Sequence, residues 1–429
     1  MRWLYTKGFL IFSVLWSIQP SRGQVPAQAP AQFRLQDGDT VVFYGDSITE
    51  QKLYTSDIEN FVLTRFPERR IHFIQSGVGG DKVSGGWAGP IDLRLTRDVI
   101  AHHPTMTTIM LGMNDGYYRP LDPGIEATYE EGYKHIVERI QTELPKSTVT
   151  LLKPSPYDDA TRPPDFDPGY NATMVRFGEF AAKLADERHA LVADLNRPVF
   201  DALTKAKAAD TPMSTILVRD RVHPGSAIHW LMAEAVLNAW NAPDIVSSAK
   251  IDATRSAVTE ARNTEISGLH RNKNSLTWTQ SDHALPIPFA PSATDPFLAL
   301  VRKVSDLDQR LNQELLQVDG LMAGTYELQI DERTIGTFTS AQLASGIDLA
   351  NLDTPMLAQS RLVAMDTSQK NEIEGLRFNL AYDLRDKKAE DTIRELDSAI
   401  TRAIERQRQD AQPVPHRFAL LYEIKVAAR

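Results

Sequence analysis

Five short apolar runs recur through the first half of this 429-residue chain, at 41–44, 71–74, 106–111, 149–152 and 191–194. Between them lie longer stretches whose apolar residues have helical spacing, such as Ile58, Phe61 and Val62, or Tyr133, Ile136, Val137 and Ile140. Strands separated by helix-length connections pair in parallel, and a parallel sheet needs helices over both faces. The expected fold is therefore a three-layer α/β/α sandwich with a parallel sheet. In such sheets ligands gather at the carboxyl ends of the strands, where the loops converge.

Three of those ends carry chemistry. The first run ends in Gly45-Asp46-Ser47-Ile48, the second in Gln75-Ser76-Gly77-Val78-Gly79-Gly80-Asp81, and the third in Gly112-Met113-Asn114-Asp115. Glycines after a strand bring bare N–H groups close to a ligand. An asparagine adds a neutral amide donor. A fourth stretch, Asp220-Arg221-Val222-His223-Pro224, precedes a helical pattern over 225–240. A carboxylate three residues before a histidine can take its Nδ1 proton and leave Nε2 free as a base. A serine hydroxyl needs such a base, and donors for the developing oxyanion, to act as a nucleophile.

These four blocks resemble those of the SGNH hydrolases, the GDSL lipase/esterase family, in order and over about residues 40–242. Gln75 stands where the glycine block usually opens with Asn, and Thr49 stands where Leu usually follows Gly-Asp-Ser-Ile. The resemblance implies a flavodoxin-like sheet and a serine esterase. Its triad is Ser47, His223 and Asp220. Its oxyanion hole is the backbone N–H groups of Ser47 and Gly80 with the side-chain amide of Asn114. Gly77 and Gly79 stand as alternatives to Gly80. No Gly-x-Ser-x-Gly elbow is present, which sets aside an ordinary α/β-hydrolase.

Composition narrows the rest. The net charge of −9 leaves no electrostatic footprint for nucleic acid. With no cysteine, disulfides and thiolate metal sites are excluded. No His-Glu-x-x-His or other ligand spacing occurs, so neither metal nor cofactor is expected. Arg2 and Lys7, an apolar stretch over 8–18 and Ser21-Arg22-Gly23 read as a signal peptide over 1–23. An Ala/Pro/Gln linker over 24–32 follows, then a hydrolase domain over 33–243 and an α+β accessory region over 244–429. A secreted or periplasmic location is expected, with no stable membrane span once the leader is removed. The oligomeric state is left open.

Around the site, the proline-rich loop 153–170 is expected to wall the cleft, with Tyr157, Asp158, Asp159 and Arg162 as selectivity candidates. Trp87, Tyr117 and Tyr118 are candidates for stacking on a sugar or for packing in the core. Asp46 reads as structural, as do His229 and His283. Asn171-Ala172-Thr173 fits a glycosylation sequon but reads better as a helix N-cap. In the accessory region, residues 274–289 look irregular to β-like and 324–339 form a hairpin turning near Glu332-Arg333. Residues 370–409 have the spacing of one or two amphipathic helices, and 416–426 of a last strand. The accessory region is expected to pack on the hydrolase domain, with Gly346-Ile347-Asp348-Leu349-Ala350 reaching toward the cleft.

The functional expectation is a short-acyl esterase, with O-acetyl groups on carbohydrate as substrate. The alternatives are a lipid esterase or lysophospholipase, and a carbohydrate-binding protein on a hydrolase scaffold. With His223 as base, activity rises with pH as the imidazole loses its proton. A rate profile that stays flat from acid to neutral pH removes His223 from that role.

Overall fold

Val41, Val42, Phe43 and Tyr44 are all fully buried, so strand β1 (Thr40–Gly45) runs through the middle of the molecule. The structure is a computed structural model that describes residues 32–290, 294–382 and 388–423. The expected leader and all but the last residue of the linker lie outside them. β2 (His72–Gly77), β3 (Met106–Met110), β4 (Thr148–Lys153) and β5 (Leu191–Asp194) complete a parallel sheet in the order β2-β1-β3-β4-β5. Val41 pairs with both Phe73 and Met106 in that register.

Helices cover both faces, because side chains alternate along a strand. Phe43 meets Tyr54 of helix α1 (Leu53–Arg65), while its neighbour Tyr44 lies under Arg94 of α2 (Ile91–Asp98). Farther along, α3 (Pro123–Glu143) stacks Tyr129 on Phe177 of α4 (Tyr170–Arg188). Helix α5 (Ser226–Ala239) packs with α1, and Trp240 just past its end donates to Thr150 Oγ1 of β4. The three-layer expectation holds. Val175, although it falls in the apolar pattern of α4, is exposed.

The accessory region is richer in strands than its sequence suggests. A mixed four-stranded sheet has the order Ile347–Asp348, Gln313–Asp319, Ile245–Asp252, Ala257–Arg262. An antiparallel five-stranded sheet has the order Thr264–Arg271, Ser275–Asp282, His416–Tyr422, Thr325–Ile330, Arg333–Thr339. The two share one core, in which Ile251, Leu316 and Val318 meet Trp278, Leu328 and Phe418. The stretch expected to be irregular to β-like contains an inner strand that alternates partly exposed and buried residues, Ser275–Asp282. The hairpin turn falls on Asp331 and Glu332, with φ of 50° and 66°, as a two-residue turn between twisted strands requires. Ile347–Asp348 does not reach toward the cleft; it pairs with Leu315 and Leu316 at the edge of the mixed sheet.

Two long helices, α6 (Pro355–Tyr382) and α7 (Lys388–Asp410), are inserted before the last strand and pack on α1. The first begins fifteen residues before the amphipathic pattern at 370 suggests. Among the described residues no helix is long and apolar enough to cross a membrane. The contact with α1 is buried and mostly polar, with Leu63 against Val363 and Ala411 as its apolar part. Lys370 Nζ lies 2.7 and 2.8 Å from the Glu59 carboxylate, and both side chains are almost fully enclosed. Gln407 of α7 donates to the same carboxylate, at 3.1 Å. Burial works against charge on Lys370, but Glu59 and Glu374 outweigh it and hold the ammonium protonated. Removing one partner of such a pair strands a buried charge, at a cost of about 3–5 kcal/mol. Lys370→Met should lower unfolding free energy by about that much, and Lys370→Met/Glu59→Met should recover most of it, by urea denaturation of the full chain.

Candidate active site

Ser47 opens a one-turn helix, Ser47–Glu50, directly after β1, and Asp46 caps that helix through Ile48 N–H at 3.0 Å. The turn is tight. A Cβ on Gly77 would fall 2.2 Å from Glu50 N, so only glycine lets the second loop pass the first. Gly80 has φ +76° and faces open space, with its neighbour Gly79 close to Ser47 Cβ.

Across the sheet end, Ser47 Oγ lies 2.8 Å from His223 Nε2, and His223 Nδ1 lies 2.6 Å from Asp220 Oδ2. Asp220 also accepts the backbone N–H groups of Val222 and His223, at 3.0 and 2.8 Å. Burial raises the pKa of its carboxyl, but those hydrogen bonds and the His223 ring outweigh this and hold it below the usual carboxylate range. A carboxylate on Nδ1 fixes the ring tautomer that offers Nε2 to a hydroxyl. Arg221, between them, adopts a left-handed backbone at φ 69°. That conformation lets Asp220 fold back on His223.

Asn114 faces the glycine loop. Its Nδ2 donates to Asp81 O at 3.1 Å, and its Oδ1 accepts the Tyr118 hydroxyl at 3.0 Å. The two contacts fix which end of the amide carries the donors. The geometry thus gathers Ser47, Gly80, Asn114, Asp220 and His223 at the ends of β1, β2 and β3 and the start of α5. Among the described residues, no three acidic or histidine side chains converge as a metal set.

One neighbour escaped the sequence pattern. Arg94 is fully buried and donates to Asp81 at 2.7 Å, to Ser76 O at 3.0 Å and to Asp98. Nothing in its helical spacing marks it as an anchor. Trp87 Nε1 donates to Gly79 O at 2.9 Å, yet its ring is 66% exposed. Tyr117 and Tyr118 are exposed too, so none of the three aromatics is core.

The 153–170 loop is not a free wall. Asp158 is fully buried and turns back on Thr161, while its N–H donates to Arg221 O at 2.9 Å. Arg162 holds the carbonyls of Thr215, Val218 and Arg219. Asp159 accepts Asn171 N–H and reaches Arg221. Tyr157 is nearly buried and donates to Asp165. Arg162, Asp159 and the Asp158 backbone thus tie the loop to residues 215–221, and the Tyr157 ring lies 5.8 Å from the Arg221 guanidinium, so the loop anchors the chain that leads into His223. Asn171 is buried inside α4, accepting from Asn196; Gly169 is the N-cap, so the cap reading is corrected. His229 is buried, accepts Tyr54 N–H on Nδ1 and faces Gln51 on Nε2. Burial pushes its pKa down to about 3, in keeping with a structural role.

Residues 43–231 match the GDSL-like lipase/acylhydrolase family. This is a GDSL-like domain of the SGNH hydrolase superfamily. An acetylxylan esterase from Geobacillus stearothermophilus is 24% identical over 221 residues, 48% of this chain and 94% of the relative. The structure of a gut microbial diltiazem-metabolizing enzyme, 25% identical, covers 91% of this chain and 98% of its own at a TM-score of 0.80. The likeness in fold thus runs through the accessory sheets. A crystal structure of the Geobacillus acetylxylan esterase, 23% identical, covers 48% of this chain and 96% of its own at a TM-score of 0.40. The protein is a carboxylic ester hydrolase of this superfamily.

Beneath Ser47, burial pushes the pKa of Asp46 up to about 7, with Ile48 N–H opposing and Asp115 and Asp81 adding to the rise. A carboxyl with a raised folded pKa binds its proton more tightly in the native state, so stability falls as pH rises from about 4 to 7. Asp46→Asn keeps the cap and removes that proton. Urea denaturation from pH 4 to 8 should show a shallower fall in the variant; an unchanged slope rejects Asp46 as the source.

Proposed function

We propose that Ser47 is the nucleophile of a serine esterase that removes short acyl groups, O-acetyl above all, from carbohydrate. The observation that carries this reading is the continuous chain from Ser47 Oγ through His223 to Asp220, at 2.8 and 2.6 Å. Ser47 attacks the ester carbonyl as His223 Nε2 takes its proton. The tetrahedral intermediate collapses, and the imidazolium returns the proton to the departing sugar hydroxyl. Water, activated by the same imidazole, then releases the acid. Asp220 orients the ring and offsets its charge. The oxyanion is received by the N–H groups of Ser47 and Gly80 and by Asn114 Nδ2.

Substrate choice draws support from two sides. A relative matched over nearly its whole length is an acetylxylan esterase. Exposed Trp87, Tyr117 and Tyr118 crowd the loops next to the proposed hole, and flat apolar faces suit sugar rings. We also propose that the protein is exported, from Arg2, Lys7 and the apolar stretch that follows.

The test is hydrolysis of p-nitrophenyl esters of rising chain length, beside an acetylated xyloside and a lipid emulsion. Ser47→Ala should lower kcat by about 10³-fold or more. Asn114→Ala should cost about 10²–10³ in kcat. Rates should fall beyond the shortest acyl chains. Turnover that survives Ser47→Ala in a folded protein removes the nucleophile, and a preference for the emulsion moves the substrate to lipid.

A further inference from the structure

A second concavity lies beside the proposed oxyanion loops. It encloses about 220 Å³ and is lined by Lys82, Ser84, Asp115, Tyr117 and Arg119 among others. Lys82 is two residues past Gly80, and Asp115 is next to Asn114. Val83 N–H donates to Asp115 Oδ1 at 2.9 Å and ties the two loops together. The cavity is therefore built on the same turns that shape the hole.

Its chemistry is unusual for a structural gap. Asp115 is only 6% exposed, and its Oδ2 is buried with no hydrogen-bond partner among the described residues. An orphaned buried oxygen of this kind costs free energy unless something supplies a partner. At the rim, the Tyr117 ring is more than half exposed. Lys82 Nζ and the Arg119 guanidinium lie 4.9 and 5.7 Å from its centroid. Tyr117 and Tyr118 both have φ of 55°, a region bulky side chains rarely adopt.

Charge and size define the ligand. Arg119 faces Asp122 at 3.3 Å, and burial pushes the pKa of Asp115 up to about 7, prevailing over the pull of Lys82 on its carboxyl. Polar groups of both signs therefore line the cavity. They offer donors and acceptors beside an aromatic face. The volume is below that of a drug-sized pocket and suits a single ring.

Building on the esterase reading, we infer that this cavity is a subsite for one uncharged pyranoside ring of the carbohydrate, with Asp115, Lys82 and Arg119 bonding its hydroxyls and Tyr117 packing on its face. The subsite holds the alcohol part of the substrate next to Ser47 and leaves the acyl group to the hole.

The test uses the full chain and methyl β-xylopyranoside as an inhibitor of p-nitrophenyl acetate hydrolysis, with glucuronate and cyclohexanol alongside. The xyloside should inhibit, and more tightly than either control. Tyr117→Ala and Lys82→Ala should each raise its inhibition constant about tenfold. Each should also lower by a similar factor the ratio of kcat/KM on an acetylated xyloside to that on p-nitrophenyl acetate. The ratio cancels losses from poor folding, and the two variants perturb the site independently. Unchanged constants and ratios in both variants, or glucuronate or cyclohexanol binding as tightly as the xyloside, overturn the subsite. Ser47→Ala reports separately: if it leaves turnover intact, the esterase mechanism fails, whatever the sugars do.

Discussion

The guanidinium of Arg94 is the pivot of the site. It is fully enclosed and holds Asp81, Asp98 and the carbonyl of Ser76 at once. A buried guanidinium is tolerable only when such partners surround it. Those partners come from the end of β2, from the glycine loop and from α2, so one cation fixes where the loop leaves the sheet. Asp81 then hands the constraint on, because its carbonyl accepts Asn114 Nδ2. The position of Gly80 relative to Ser47 thus rests on a charge that takes no part in the proposed chemistry.

The accessory region bears on the same site from the other side. Lys52 follows the nucleophile turn with φ 58°, and its ammonium donates to Asn371 O of α6 at 2.7 Å. Asn371 donates to Ser56 at 2.8 Å, and Lys370 pairs with Glu59 one turn farther along α1. A row of polar contacts therefore fastens α6 to the helix that begins just after Ser47. The two sheets of the accessory region have their own apolar core, in contrast to this polar seam. Polar seams fix register, since a shifted pairing leaves buried charges unmet.

Much of the fold was legible in the sequence, because helix-length spacing between apolar runs admits a parallel sheet and little else. The four site blocks were legible too, since each sits at a strand end or helix start where backbone geometry demands glycine, a cap or a short acid-to-histidine step. The accessory strands were harder. Ile245–Asp252 and Gln313–Asp319 pair in parallel across more than sixty residues, and neither has a turn signal to announce it. The anchoring role of the 153–170 loop was hidden for a related reason. Arg162 and Asp158 look like exposed polar residues in a chain read linearly, and only their distant carbonyl and amide partners reveal them as braces.

Sequence alone determined the layer order and a hairpin near Glu332-Arg333, whose turn the structure sets one residue earlier, and it marked the residues proposed as nucleophile, base and donors, since all of these depend on local spacing and backbone preference. Tertiary structure decided what those residues face. It set Ser47 against His223 across 176 positions, placed Tyr118 on Asn114, and turned three aromatics outward rather than into the core. Contacts between distant segments follow from how whole faces pack, and no local pattern records which side chain a fold will bring opposite another.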